Sequence, residues 1–311
     1  MKKSFLNKIF SIEKSSPSHD TYYILGLRIN ILKQEIKKQR ADIAQYYQSF
    51  SSASEIPVAD GNLRLIQKAN LAFLKKFHAL CIENDIKYWI DFGTLLGALR
   101  HNGFIPWDDD VDVSMPREDY KKFINLFKSG LLDNTEFELF FENNSRTKCL
   151  AKLKHKNSED LFIDIFPYDF YHSTLSEDEK AELSLKIVEA RKPNFIMKKR
   201  SSDNMMQYFE SLTQEKILDN IKNDGSRQLP IFMGVDFPHK WKNKVFDWEE
   251  IFPLKEINFE GATLLGPNLP EKVLTRIYGD YMKIPKDSYP RHSNYLDLNE
   301  ERKKFLEEIS K

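Results

Sequence analysis

Trp107-Asp108-Asp109-Asp110-Val111-Asp112-Val113 restricts what this chain can fold into more than any other stretch. Three adjacent carboxylates repel one another, and only full solvation or a cation relieves that repulsion. An isolated acidic run is ordinarily a solvated loop. Here the acids lead straight into Val111-Asp112-Val113-Ser114-Met115, whose composition predicts a strand. A strand sends residues i and i+2 to one face, so Asp110 and Asp112 point together while Val111 and Val113 point into packing. Two parallel carboxylates on a rigid element are suited to a divalent cation bound through oxygen. Mg²⁺ is the natural choice, with Mn²⁺ as its substitute, because it keeps waters and takes further ligands from a substrate phosphate.

A third acid interrupts Leu161-Phe162-Ile163-Asp164-Ile165-Phe166. A lone carboxylate in so apolar a strand is costly to bury without a partner. A buried ion pair, a third metal ligand and a base beside the metal all remain open for Asp164. Lys152 and Lys154 alternate on the preceding strand, facing either the substrate of this site or solvent. Upstream, Tyr88 to Phe92 reads as a strand, Gly93 as a turn and Thr94 to Arg100 as a short helix. The Gly93 and Thr94 N–H groups and the Thr94 hydroxyl can receive a phosphate there. Gly97 and Ala98 permit close approach, and Arg100 offers a planar fork to phosphate oxygens. His101 is either a phosphate contact or plain surface. A phosphate cradle less than twenty residues before a carboxylate pair describes metal-assisted chemistry on a phosphate diester or anhydride.

Rival readings can be tested on the letters. An EF-hand loop opening at Asp108 needs Gly at its sixth position and Glu at its twelfth, where this chain has Val113 and Asp119. A nucleotide-sugar glycosyltransferase also uses an Asp-x-Asp site, but with a longer nucleotide-binding region before it. It stays as the alternative enzyme class, and a non-catalytic assembly protein keeping the fold is the alternative outside enzymes. Lys+Arg and Asp+Glu both number 47, so no basic excess supports nucleic-acid binding. No apolar run approaches the roughly 20 residues of a membrane-spanning helix. Two cysteines, Cys81 and Cys149, supply no disulfide framework, and a cytoplasmic location follows as the expectation.

Residues 1–60 form a basic N-terminal segment ahead of a catalytic domain over 61–311. Leu25, Ile29, Leu32, Ile36, Ile43, Tyr46 and Phe50 recur in alternating three- and four-residue steps, predicting an amphipathic or coiled-coil helix after the break at 15–18. Such a helix can lie on the protein's own core, self-associate, or touch an anionic membrane surface with help from Lys2, Lys3 and Lys8. Further helices are expected over Leu63 to Asn84, Asp119 to Phe127, Asp203 to Asn220 and Pro270 to Tyr278. Ser176 to Glu179 has capping-box spacing ahead of another. Phe137 to Phe141 and Cys149 to Lys154 complete the strands, giving an α+β order with a helical C-terminal part.

The chain resembles the LicD family of the nucleotidyltransferase-like superfamily, which includes the fukutin-related proteins. The resemblance rests on Asp91-Phe92-Gly93-Thr94-Leu95-Leu96-Gly97-Ala98-Leu99-Arg100 and on Gly103 to Val113, continuing to Arg117-Glu118-Asp119-Tyr120. It extends to Phe162 to Pro167, to Tyr278-Gly279-Asp280-Tyr281-Met282-Lys283-Ile284-Pro285, and to His292. It implies a nucleotidyltransferase-like mixed-sheet core and transfer of a phospho-alcohol, commonly phosphocholine, from a CDP-linked donor to a sugar of a surface glycan. The acceptor is then a glycan or lipid-linked glycan, met at the inner face of the membrane. Asp110 and Asp112 would be the principal metal ligands, Asp108 would stand at the same mouth, and Asp164 would be ligand or base. Gly93, Thr94 and Arg100 would hold the donor phosphates. Trp241, Trp248, Tyr278 and Tyr281 could cage a quaternary ammonium, although packing is the commoner use of such rings.

Overall fold

The computed structural model describes residues 10–14, 19–24, 27–32, 34–144, 148–170, 175–190, 207–208, 210–214, 231–233, 245–286, 288–289 and 298–311. The amino-terminal region differs from the expected long helix. Strands β1 (Phe10–Lys14), β2 (His19–Ile24) and β3 (Leu27–Leu32) pair as an antiparallel three-stranded sheet, and helix α1 runs only over Gln34–Gln48. Leu27, Ile29 and Ile31 also fit a period of two, and the Thr-Tyr-Tyr-Ile run of β2 favours extended backbone. Lys2, Lys3 and Lys8 lie outside the described residues. Helix α1 lies on the protein itself. Tyr47 donates its hydroxyl to the Pro106 carbonyl and packs its ring 4.7 Å from Trp107, and Gln48 donates to the Pro285 carbonyl and to Ser288.

Helix α2 (Gly61–Glu83) follows, with Ile66, Ala69, Phe73, Phe77 and Leu80 forming the stripe it buries. The chain then runs through β4 (Trp89–Ile90), α3 (Phe92–His101), β5 (Asp112–Pro116), α4 (Arg117–Lys128), β6 (Phe137–Asn144), β7 (Lys148–His155) and β8 (Ser158–Phe170). Helix α5 (Glu177–Ala190) begins with the expected capping box: Ser176 accepts from the Glu179 N–H while the Glu179 carboxylate accepts from the Ser176 N–H. Beyond it lie β9 (Ile231–Met233), β10 (Val245–Phe246), α6 (Trp248–Ile251), the hairpin β11 (Lys255–Phe259) and β12 (Ala262–Gly266), α7 (Pro270–Tyr278) and α8 (Glu300–Ile309). Residues 207–208 and 210–214 are helical within the expected 203–220 element. This is an α+β fold with a mixed sheet. Among the described residues, no helix is long and apolar enough to cross a membrane.

β8 is the axis of the main sheet. It pairs in parallel with β5 along one edge and antiparallel with β7 and then β9 along the other. Covered on both faces, its residues from Asp160 to Asp169 are all buried, which explains a near-continuous apolar run instead of alternation. The strand expected over Tyr88 to Phe92 shrinks to Trp89–Ile90. The Asp91 carboxylate captures the Phe92 N–H at 2.8 Å, and Phe92 takes a φ of 42°, so α3 begins two residues earlier than expected.

At the far end of β8, Arg117 makes a two-pronged pair with Asp169, both contacts 2.8 Å, and both side chains are nearly buried. This pair ties the start of α4 to the strand that carries Asp164. Arg117→Met strands a buried carboxylate and should cost about 3–5 kcal/mol of unfolding free energy in urea titration. A loss under 1 kcal/mol would show that the pair does not anchor α4.

Candidate active site

The register of β5 against β8 puts Asp112 directly beside Asp164, and β7 against β8 puts Lys152 on the other side of Asp164. Residues in register on neighbouring strands share a face. A row of Asp112, Asp164 and Lys152 therefore crosses three strands. Asp110, two residues before Asp112, joins it: one ligand oxygen from each of Asp110, Asp112 and Asp164 lies within 4.8 Å of the others. Asp108, Asp109 and Asp110 make a second such group, so Asp110 belongs to both. Along β8, Phe162 and Phe166 flank Asp164 on the same face, walling the row with apolar rings.

The first turn of α3, which holds Gly93 and Thr94 inside the helix where a separate turn at Gly93 was expected, faces the row. The Gly93 N–H donates to Asp112 at 3.2 Å, and the Thr94 hydroxyl accepts the Asp112 N–H at 2.8 Å. A Cβ on Gly93 would stand 2.6 Å from an Asp108 carboxylate oxygen and 3.3 Å from one of Asp112. Only glycine permits that approach. Burial, then the charges of Asp110, Asp112 and Asp109, pushes the Asp108 carboxyl well above the usual carboxylate range. Burial, then Asp110 and Asp164, does the same to Asp112, with the Gly93 N–H opposing. Carboxylates that raise one another in this way favour a bound cation, and an all-oxygen donor set fits Mg²⁺ or Mn²⁺.

Several side chains expected at the donor have partners elsewhere in the chain. Arg100 is buried and two of its three nitrogens are turned onto the chain: Nη1 donates to the carbonyls of Tyr281 at 2.8 Å and Lys283 at 3.4 Å, Nε donates to His101 Nε2 at 2.9 Å, and Nη2 is buried with no hydrogen-bond partner among the described residues. The guanidinium lies over Trp107, 5.7 Å from the ring centre. His101 is correspondingly a neutral acceptor, its pKa driven down to about 3 by burial and then by the Arg100 charge. The close approach at Gly97 is to the Gly103 carbonyl, which a Cβ would meet at 2.3 Å, so it serves packing of α3 on its own loop. Lys152 meets Asp164, whereas Lys154 lies over the Phe140 ring at 4.2 Å. Trp248 stacks on Phe252 at 4.2 Å and packs edge-on against Phe170 at 5.5 Å, which is core packing, not a cage. Trp241 and His292 lie outside the described residues.

Sequence reasoning passed over the groups that hold the acids in place. Asp91 is buried and accepts from the Phe92 N–H, from Ser114 at 2.7 Å and from Tyr168 at 3.1 Å, which fixes the turn carrying Gly93. On α2, Gln67 donates to the carbonyls of Ile105 and Asp108, and Asn70 to those of Asp109 and Asp160. Those two amides sit inside the buried stripe of α2, three residues apart. Polar side chains at apolar positions were the available signal.

A mixed sheet, a glycine in the first turn of α3 and a carboxylate row on adjacent strands make up an α+β domain with one acidic site. Residues 85–200 match the family model described as LicD/FKTN/FKRP, nucleotidyltransferase domain. It is 28% identical over 256 residues to the lipopolysaccharide cholinephosphotransferase LicD of Haemophilus influenzae, covering 74% of this chain and 96% of that one. Ribitol 5-phosphate transferase FKRP of Homo sapiens is 27% identical over 93 residues, 30% of this chain and 19% of its own length.

Gly93→Ala should displace the Asp108 and Asp112 carboxylates while leaving the core intact. The Mn²⁺ concentration giving half-maximal thermal stabilisation should rise roughly tenfold, about 1.4 kcal/mol. An unchanged metal response would mean that the turn does not abut a cation site.

Proposed function

We propose that the chain is a divalent-metal-dependent transferase that moves a phospho-alcohol, phosphocholine foremost, from a CDP-linked donor to a sugar hydroxyl of a cell-surface glycan, releasing CMP. Lipopolysaccharide, teichoic acid and capsule are the acceptor classes. The observation that carries this reading is the convergence of Asp110, Asp112 and Asp164 under the Gly93–Thr94 turn. The cholinephosphotransferase relative, aligned over nearly its whole length, supports the choice of group transferred. The reading keeps the reaction in the cytoplasm, at the inner membrane face where a lipid-linked acceptor is reached.

In this assignment Asp110, Asp112 and Asp164 hold the cation, with Asp108 at the mouth. A divalent cation there neutralises charge on the donor phosphates and on the departing CMP. The Gly93 N–H, the Thr94 hydroxyl and the Lys152 ammonium are the groups for the phosphate oxygens. Arg100 and His101 act at one remove, fixing the Tyr281–Lys283 segment beside the site. The sugar oxygen forms a bond to the distal phosphorus as the bond from that phosphorus to the bridging oxygen of CMP breaks. The hydroxyl proton leaves to a carboxylate oxygen, with Asp164 assigned that role or a ligand's. Phe162 and Phe166 exclude water from that exchange.

Incubation with CDP-choline, CDP-ethanolamine, CDP-glycerol and CDP-ribitol plus Mg²⁺ should release CMP with one of them in the presence of a glycan acceptor. Asp110→Ala and Asp112→Ala should each reduce release to background, while the thermal midpoint holds or rises because a repelling carboxylate has gone. Full turnover in both variants would remove the metal assignment. Stabilisation by a nucleotide-sugar instead of any CDP-alcohol would move the chain to the glycosyltransferase class.

A further inference from the structure

The tip of the β11–β12 hairpin reaches the loop that delivers the acids. Glu260 and Gly261 make a two-residue turn between the paired Phe259 and Ala262, with φ of 50° and 79°. Such a turn needs left-handed backbone, which Asn, Asp and Gly take readily and a glutamate takes at a cost. Glu260 stands there with its carboxylate fully engaged. Oε1 accepts from Arg64 Nη1 at 2.6 Å and from the Phe104 N–H at 3.4 Å, and Oε2 accepts from Arg64 Nη2 at 2.9 Å. The Glu260 N–H donates to the Asn102 carbonyl at 3.1 Å. A Cβ on Gly103 would collide with the Glu260 side chain, so that glycine makes room for it.

Arg64 carries the contact onward. Its Nη1 also donates to Gln67 Oε1 at 3.3 Å, one turn along α2. Gln67 is buried, and its Nε2 donates to the carbonyls of Ile105 at 3.2 Å and Asp108 at 2.8 Å. Turned over, this amide would set its oxygen against two carbonyl oxygens and its NH₂ against a guanidinium, leaving buried groups without hydrogen bonds. Arg64 therefore fixes the sense of the amide, and Glu260 fixes Arg64. The amide grips a tight turn, Ile105-Pro106-Trp107-Asp108, closed by the Asp108 N–H on the Ile105 carbonyl at 2.9 Å. Asp108 leaves that turn with its carboxylate against Gly93 and within the acidic group of Asp108, Asp109 and Asp110.

We infer that Glu260 and Arg64 are positioning residues of the metal site, an inference resting on the metal-site reading above. They act through Gln67, holding the turn that places Asp108 and starts the run to Asp110. The carboxylate oxygens are thereby presented to a cation by a hairpin more than 140 residues further along the chain. Groups that orient metal ligands in this way contribute to affinity without touching the ion.

Glu260→Asn suits the left-handed turn and is too short to hold Arg64. Calorimetric titration should show Mn²⁺ binding roughly fivefold weaker in this variant than in the native chain, and Arg64→Met should show the same loss. In Gln67→Met the loss should be at least as large, and adding Glu260→Asn to it should cost nothing further, since both act through one contact. Unchanged Mn²⁺ affinity in Glu260→Asn and Arg64→Met overturns the inference, whatever happens to the thermal midpoint. A full additional loss in the double variant overturns it as well. Lys180→Met breaks the 2.7 Å pair of α5 with Asp247, outside this chain of contacts, and separates positioning from general weakening. It should lower the thermal midpoint and leave Mn²⁺ affinity unchanged; an equal loss of affinity there also overturns the inference. Absence of Mn²⁺ binding by the native chain, with or without CDP-choline, is a different result: it removes the metal-site reading and this inference with it.

Discussion

The side-by-side register of Asp112 and Asp164 on parallel strands is the constraint around which the molecule is arranged. Two carboxylates so placed, with Asp110 beside them, repel; nothing in local backbone preference would choose that arrangement. It persists because the backbone carrying it is overdetermined. Val111, Val113, Ile163 and Ile165 are fully buried on the opposite face, and shifting either strand by one residue would turn those side chains to the acid face. The apolar side of β5 and β8 thus supplies the free energy that keeps the charged side assembled.

A second layer of contacts fixes the approaches to that row. Asp91 turns β4 into α3 and so aims the Gly93 N–H at Asp112, while Ser114 and Tyr168 saturate Asp91 itself. Gln67 and Asn70 hold the acidic loop by its carbonyls, which fixes the backbone that carries Asp108, Asp109 and Asp110. On the other flank, Arg100 gathers the Tyr281 and Lys283 carbonyls, and the Tyr47 ring of α1 packs on Trp107, the residue just before the first acid. Elements far apart in sequence therefore converge on one loop.

Parity explains how much of this was legible in the letters. Asp110 and Asp112 share a face whatever their partner strands, and an acid in the Leu161–Phe166 run must be answered by something, so the carboxylate set could be read without knowing the sheet order. The pairing of Lys152 with Asp164 could not, because it depends on which strand lies next to β8. The partners of Arg100 are hidden for a related reason: a planar fork beside a glycine suits phosphate, and only the path of the chain near residue 281 reveals the carbonyls that its Nη1 meets. At the amino terminus two periodicities compete for the same letters. The seam from Leu25 to Phe50 also contains Leu27, Ile29 and Ile31 in alternation, and strand pairing took that stretch while the helix kept Gln34–Gln48. The self-association reading rested on the longer helix, and the membrane reading also on Lys2, Lys3 and Lys8, which lie outside the described residues.

The most direct test of the central claim is an anomalous difference map from crystals soaked in Mn²⁺. A cation site built by the register of β5 and β8 predicts a peak about 2.1 Å from carboxylate oxygens of Asp110, Asp112 and Asp164. A map with no peak there, or with its strongest peak held by other side chains, would contradict the account at its foundation.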